Sequence, residues 1–125
     1  MQRMILDETQ IHPAIRSKVA SHQQAIVQQV VEATRSNDIL LVGMGFNPFS
    51  AKARKALDAI NQKYEYLEFG NYVSMWRERN ALKLWSGWPT FPLIFVKGVL
   101  IGGATDLQAL IASGELKKML LHPTS

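Results

Sequence analysis

The sequence predicts an α/β domain with one mixed, four-stranded sheet between helices, and an additional helix ahead of it. Three observations predict this. The apolar run Ile39-Leu40-Leu41-Val42 leads through a turn, Gly43 to Ser50, straight into a helical pattern beginning at Ala51. Tyr64-Glu65-Tyr66-Leu67-Glu68-Phe69 then alternates as a short strand, so that residues 39 to 69 form a right-handed, parallel strand-helix-strand unit. Leu93-Ile94-Phe95-Val96 and Val99-Leu100-Ile101, joined by the tight turn Lys97-Gly98, read as an antiparallel hairpin.

The remaining elements follow in order. Ile15, Val19, Ile26 and Val30, with Val27, Val31 and Thr34, recur at helical spacing and predict one amphipathic helix over 12–36, started near Pro13 and ended near Asn37-Asp38. Gln23, Gln24, Gln28 and Gln29 fill its other face; the helix either packs on the domain or binds a partner or a second copy. In the central turn Asn47 suits an N-cap and Pro48 the first helical position, and Ala53, Ala56, Leu57 and Ile60 carry a helix to about residue 62. Tyr72 to Trp85 predicts another helix, with Val73, Trp76, Leu82 and Trp85 inward and Arg77, Glu78, Arg79 and Lys83 outward. Leu107, Leu110 and Ile111 mark a last helix that Gly114 stops, before a short tail with Leu116 and Leu120. That order is the plan of the thioredoxin fold, with residues 1–37 as an extension and 38–125 as the domain.

Composition narrows the chemistry. The chain has 125 residues and a formal charge of +4, but no Lys/Arg block and no basic stretch interleaved with aromatics, so nucleic acid is not an expected partner. It has no cysteine, which excludes disulfides, thiolate ligands and a thiol nucleophile within the chain. His12, His22 and His122 are scattered, so no protein-ligated metal is expected. The amino terminus turns acidic at Asp7-Glu8 before a leader core forms, and no apolar run reaches membrane-spanning length. A soluble cytoplasmic protein without membrane contact is the expectation.

Trp88-Pro89-Thr90-Phe91-Pro92, then Phe95-Val96-Lys97-Gly98-Val99-Leu100-Ile101-Gly102-Gly103, then Ser113-Gly114-Glu115-Leu116 resembles the carboxyl-terminal half of glutaredoxins, the monothiol class above all. The resemblance extends over residues 38 to 121. It implies a cis peptide bond at Phe91-Pro92, and it places Asn47-Pro48-Phe49-Ser50 where the family carries Cys-Pro-Tyr-Cys or Cys-Gly-Phe-Ser. Asn47 thus stands at the position of the nucleophilic cysteine and Ser50 at the second motif position, so no catalytic residue is assigned. An amide has no thiolate form and ligates no iron-sulfur cluster. Met44 stands near the place of the family's lysine, and Leu93 where a glutamine usually follows the proline.

The family's glutathione groove implies roles for Arg79 (a carboxylate), Phe91 and Pro92 (backbone pairing), and Ala104, Thr105 and Asp106 (the γ-glutamyl group). Plainer readings stand beside these. Arg79 is one charge on a solvated helix, Thr105 and Asp106 cap the last helix, Asn47 and Ser50 cap the helix after the turn, and Trp88 and Met44 pack. The glycines at 102 and 103 allow a tight backbone path with or without a ligand. The expected function is a binding or regulatory module without intrinsic oxidoreductase activity. It requires no cofactor and takes glutathione, an unidentified protein or a second copy of itself as partner. The alternative is a redox or iron-sulfur role through an external thiol, or activation of bound glutathione by the turn.

Overall fold

The apolar run forms strand β1, Ile39–Gly43, buried at all five positions, as the interior of a sheet covered on both faces requires. In the computed structural model, which describes residues 3–21 and 24–121, helices α1 (Pro13–Ser21) and α2 (Gln24–Ser36) precede it. His22, Gln23 and His122 lie outside the described residues. After β1 come α3 (Pro48–Ala59), β2 (Glu65–Glu68), α4 (Trp76–Ser86), β3 (Leu93–Val96), β4 (Val99–Gly102), α5 (Ala104–Ser113) and α6 (Glu115–Leu121).

The strands lie in the order β2-β1-β3-β4. β1 runs parallel to β2, with Leu41 opposite Tyr66, and antiparallel to β3, with Val42 opposite Leu93. Lys97 and Gly98 join β3 to β4 with φ of 52° and 79°, the positive pair a two-residue hairpin needs. Successive side chains of β1 point to opposite faces. Leu40 and Val42 meet Ile26 and Val30 of α2 and Leu82 of α4, while Ile39 and Leu41 meet Leu57 of α3, Leu107 of α5 and Leu116 of α6. This is the predicted thioredoxin fold, and α2, inside the segment read as an extension, belongs to its core.

Four local expectations are corrected. The pattern over 12–36 is helical at the described residues 13–21 and 24–36, but its first part buries nothing: Ile15 and Val19 are 45% and 54% exposed. Two large apolar residues give α1 too narrow a stripe to dock, whereas α2 presents Ile26, Val27, Val30 and Val31. α4 begins at Trp76 rather than Tyr72, because the Asn71 side chain accepts from the Val73 N–H at 2.9 Å and closes a local turn that competes with helix. Val73 and Trp76 are therefore exposed instead of core, and Trp85 is 37% exposed although its ring lies 5.9 Å from that of Phe95. The tail is helical: Gly114, at φ 81°, ends α5, and α6 follows with Leu116 buried. Lastly, α3 ends at Ala59, short of residue 62. No described helix is long and apolar enough to cross a membrane.

Candidate ligand groove

The Gly43–Ser50 turn is built by close backbone approach. Phe69 N–H donates to Gly43 O at 2.9 Å and Gly45 N–H to Gly70 O at 2.6 Å, tying the turn to the end of β2. A Cβ at Gly43 would lie 2.7 Å from Ser50 Oγ and 2.9 Å from the Tyr66 ring. Gly43→Ala should therefore lower stability by roughly 1–3 kcal/mol, read from urea unfolding, because Ser50 and Tyr66 are both packed there. Gly103→Ala is the control. Gly103 has φ −108°, and a Cβ there would meet its nearest atom at an ordinary 3.6 Å, so its unfolding midpoint should stay near wild type.

Asn47 caps α3. Its Oδ1 accepts from the N–H groups of Phe49 and Ser50, both at 2.9 Å, and Pro48 takes the first helical position. Ser50 is buried, with its Oγ as acceptor for the Met44 N–H at 3.5 Å. The side chains at both motif positions thus hold backbone, and neither offers a nucleophile.

Beside the turn, on the same end of the sheet, lies the Phe91-Pro92 loop, since Val42 pairs with Leu93. The Phe91-Pro92 bond is cis, as the resemblance implied. Phe91 and Pro92 are buried, and the Lys83 ammonium stands 5.7 Å from the centre of the Phe91 ring. Pro92 O in turn faces Gly103, the N-cap of α5. Ala104, Thr105 and Asp106 form the first turn of α5, where N–H groups have no acceptor within the helix. Asp106 Oδ2 accepts from the Gly103 N–H at 2.9 Å, so one carboxylate oxygen serves as a cap. Gly102, at φ 109°, leaves room for that carboxylate; Gly103 has no such backbone need. Trp88 packs on the core beside Gly103, and its indole N–H is buried without a partner among the described residues.

Arg79 departs most from its sequence reading. It is 7% exposed rather than outward, and its guanidinium donates to Phe69 O at 3.1 Å and to Ser74 O, fastening the loop between β2 and α4. The structure thus gathers Asn47, Ser50, Phe91, Pro92, Ala104, Thr105 and Asp106 at one end of the sheet and gives the Arg79 guanidinium a backbone task. Lys83, one turn further along α4, is the cation set over Phe91. Its signal in the sequence was its spacing of four from Arg79, which puts both on neighbouring positions of one helical side.

On the other flank, Arg54 stacks 4.3 Å over the ring of Tyr66, whose hydroxyl donates to Glu68 Oε1 at 2.8 Å. Burial, and then the bond to Glu68, push the Tyr66 pKa up to about 12. That phenol is a fixed donor at neutral pH. Among the described residues no three acidic or histidine side chains converge to hold a metal.

A four-stranded mixed sheet between helices, with a strand-to-helix turn after its central strand, defines a thioredoxin-fold protein, here without a thiol. Its family is found by comparison. The glutaredoxin sequence profile matches residues 47–101. Over 102 residues the chain is 35% identical to the "Glutaredoxin-like protein" of Dictyostelium discoideum, covering 82% of this chain and 83% of that protein. It is 32% identical over 105 residues to monothiol glutaredoxin-S11 of Oryza sativa subsp. japonica, covering 81% of this chain and 21% of that longer protein. In fold it is similar to the buckwheat glutaredoxin-glutathione complex, with TM-score 0.71, 22% identity, and coverage of 81% of this chain and 92% of that one. The chain belongs to the glutaredoxin family, and the resemblance read from Trp88 to Leu116 is borne out.

Proposed function

We propose that this protein is a binding module of the glutaredoxin family that carries out no thiol-disulfide exchange of its own and holds glutathione between the Gly43–Ser50 turn, the Phe91-Pro92 loop and the start of α5. One observation carries the reading. At the family's cysteine position stands Asn47, with its side-chain oxygen fully engaged in capping α3. The groove around it is supported separately by the N–H groups of Ala104 and Thr105, in the first turn of α5, which have no acceptor within the helix.

Glutathione bears two carboxylates, an ammonium and a thiol. In this reading one carboxylate takes the N–H groups of Ala104 and Thr105, the ammonium faces the oxygen of Asp106 not used in capping, and the Phe91 backbone pairs with the middle of the peptide. Lys83 receives the second carboxylate, the part the resemblance had given to Arg79. The thiol remains reduced, since Asn47 neither attacks sulfur nor gives up a proton. An iron-sulfur cluster does not fit these residues, because none of the groove side chains is a thiolate.

Calorimetric titration with reduced glutathione tests this. Binding in the range of about 0.1–1 mM is expected, weakened roughly tenfold by Lys83→Gln through loss of a charge-assisted hydrogen bond. A glutathione-coupled disulfide-reduction assay should give no turnover. Turnover by the purified chain, or no heat at about 10 mM glutathione, contradicts the proposal.

A further inference from the structure

The turn at one side of the groove carries two phenyl rings that its own chain leaves bare. Phe46 and Phe49 stand on either side of Asn47 in the chain and are 87% and 54% exposed. Phe46 also has φ 61°, a left-handed conformation that a bulky side chain adopts only where its neighbours impose it. Here they do. The Gly45 N–H is bonded to Gly70 O on one side, and Asn47 is held on the other in extended backbone, φ −91°, as the cap of α3. Phe49 takes the second position of α3, with its N–H fixed to Asn47 Oδ1. Neither ring belongs to the core on either face of the sheet. Among the described residues neither stacks on another ring or lies under a cation. A tied backbone thus holds both rings out to solvent beside the position where glutaredoxins carry their nucleophile.

The groups around these rings suit a sulfur that does not react. In the glutathione reading, on which this step rests, the ends of the tripeptide lie at the start of α5 and at Lys83, and its middle lies on the Phe91 backbone. The cysteinyl side chain then has the turn before it. A free thiol finds no base there, because Asn47 Oδ1 already accepts two backbone N–H groups and Ser50 is buried. A thioether needs no base, and an apolar group on its sulfur takes the phenyl rings out of water. Covering roughly 60 Å² of such surface is worth about tenfold in affinity.

We infer that the ligands this groove selects are S-substituted glutathiones, thioethers whose aromatic or aliphatic substituent packs on Phe46 and Phe49. Calorimetric titration of the full chain with S-benzylglutathione, beside reduced glutathione, tests this. The benzyl thioether should bind about tenfold more tightly than glutathione. In the double variant Phe46→Gly/Phe49→Ser that advantage should disappear. Both positions are exposed, glycine takes φ 61° without strain and serine is tolerated in the first turn of a helix, so the variant should keep its fold. Equal or weaker binding of the benzyl thioether by a chain that does bind glutathione overturns this inference and leaves the glutathione reading standing. No heat from either ligand at about 10 mM overturns both. An advantage that survives in the double variant puts the substituent elsewhere and overturns the inference as well.

Discussion

Asn47→Cys should turn an inert turn into a reactive one. The new sulfur would sit at the N-cap of α3, where the N–H groups of Phe49 and Ser50, released from the Asn47 oxygen, and the helix dipole favour a thiolate. Its pKa should fall at least about one unit below the usual thiol value near 8.5. With oxidised glutathione the thiolate should attack one sulfur, form a protein-glutathione disulfide and release glutathione as thiolate. Intact mass after mixing reads the adduct; wild type, with no cysteine, should take none. The loss of the Asn47 cap should cost only about 1 kcal/mol. An Asn47→Cys thiol of ordinary pKa and sluggish reactivity would mean that the turn no longer presents its helix start to a ligand.

Arg79→Ala should be the most destabilising of the substitutions considered. The guanidinium is the partner of two loop carbonyls, Phe69 O and Ser74 O, in a position only 7% exposed. Truncation strands both acceptors and leaves the volume of a buried side chain unfilled, a loss of roughly 3 kcal/mol or more in urea unfolding. Lysine has no planar fork to serve both carbonyls, so Arg79→Lys should recover little of it. If Arg79→Ala instead left stability unchanged and abolished glutathione binding, Arg79 would be a ligand residue and the assignment of that part to Lys83 would be wrong.

The sequence was most legible where a local rule suffices. The run Ile39 to Val42, bounded by turn residues, reads as a covered strand, Lys97-Gly98 fits a two-residue hairpin, and Asn47-Pro48 announces a helix start; all three stand as read. It was least legible where a side chain reaches into another segment. Nothing in the spacing of Arg79 tells that carbonyls ten and five residues earlier come back to meet it. Asn71 illustrates a different failure, in which a side chain bonding to Val73 N–H outcompetes a plausible helical pattern. At the candidate groove only packing shows that Arg79 is already engaged by backbone carbonyls while Lys83 stands over the Phe91 ring. The α6 helix was readable from Leu116, Met119 and Leu120, at spacings of three and four, had Gly114 been taken as a break between helices rather than an end.

The central claim is that a glutathione-binding groove persists around a turn that has no thiol. Amide chemical shifts during a titration with reduced glutathione address it most directly. The account predicts shifts concentrated at Phe91, Ala104, Thr105 and Lys83, saturating as glutathione rises, with little movement along α1. An unchanged spectrum at about 10 mM glutathione, or shifts spread without regard to that end of the sheet, would contradict it.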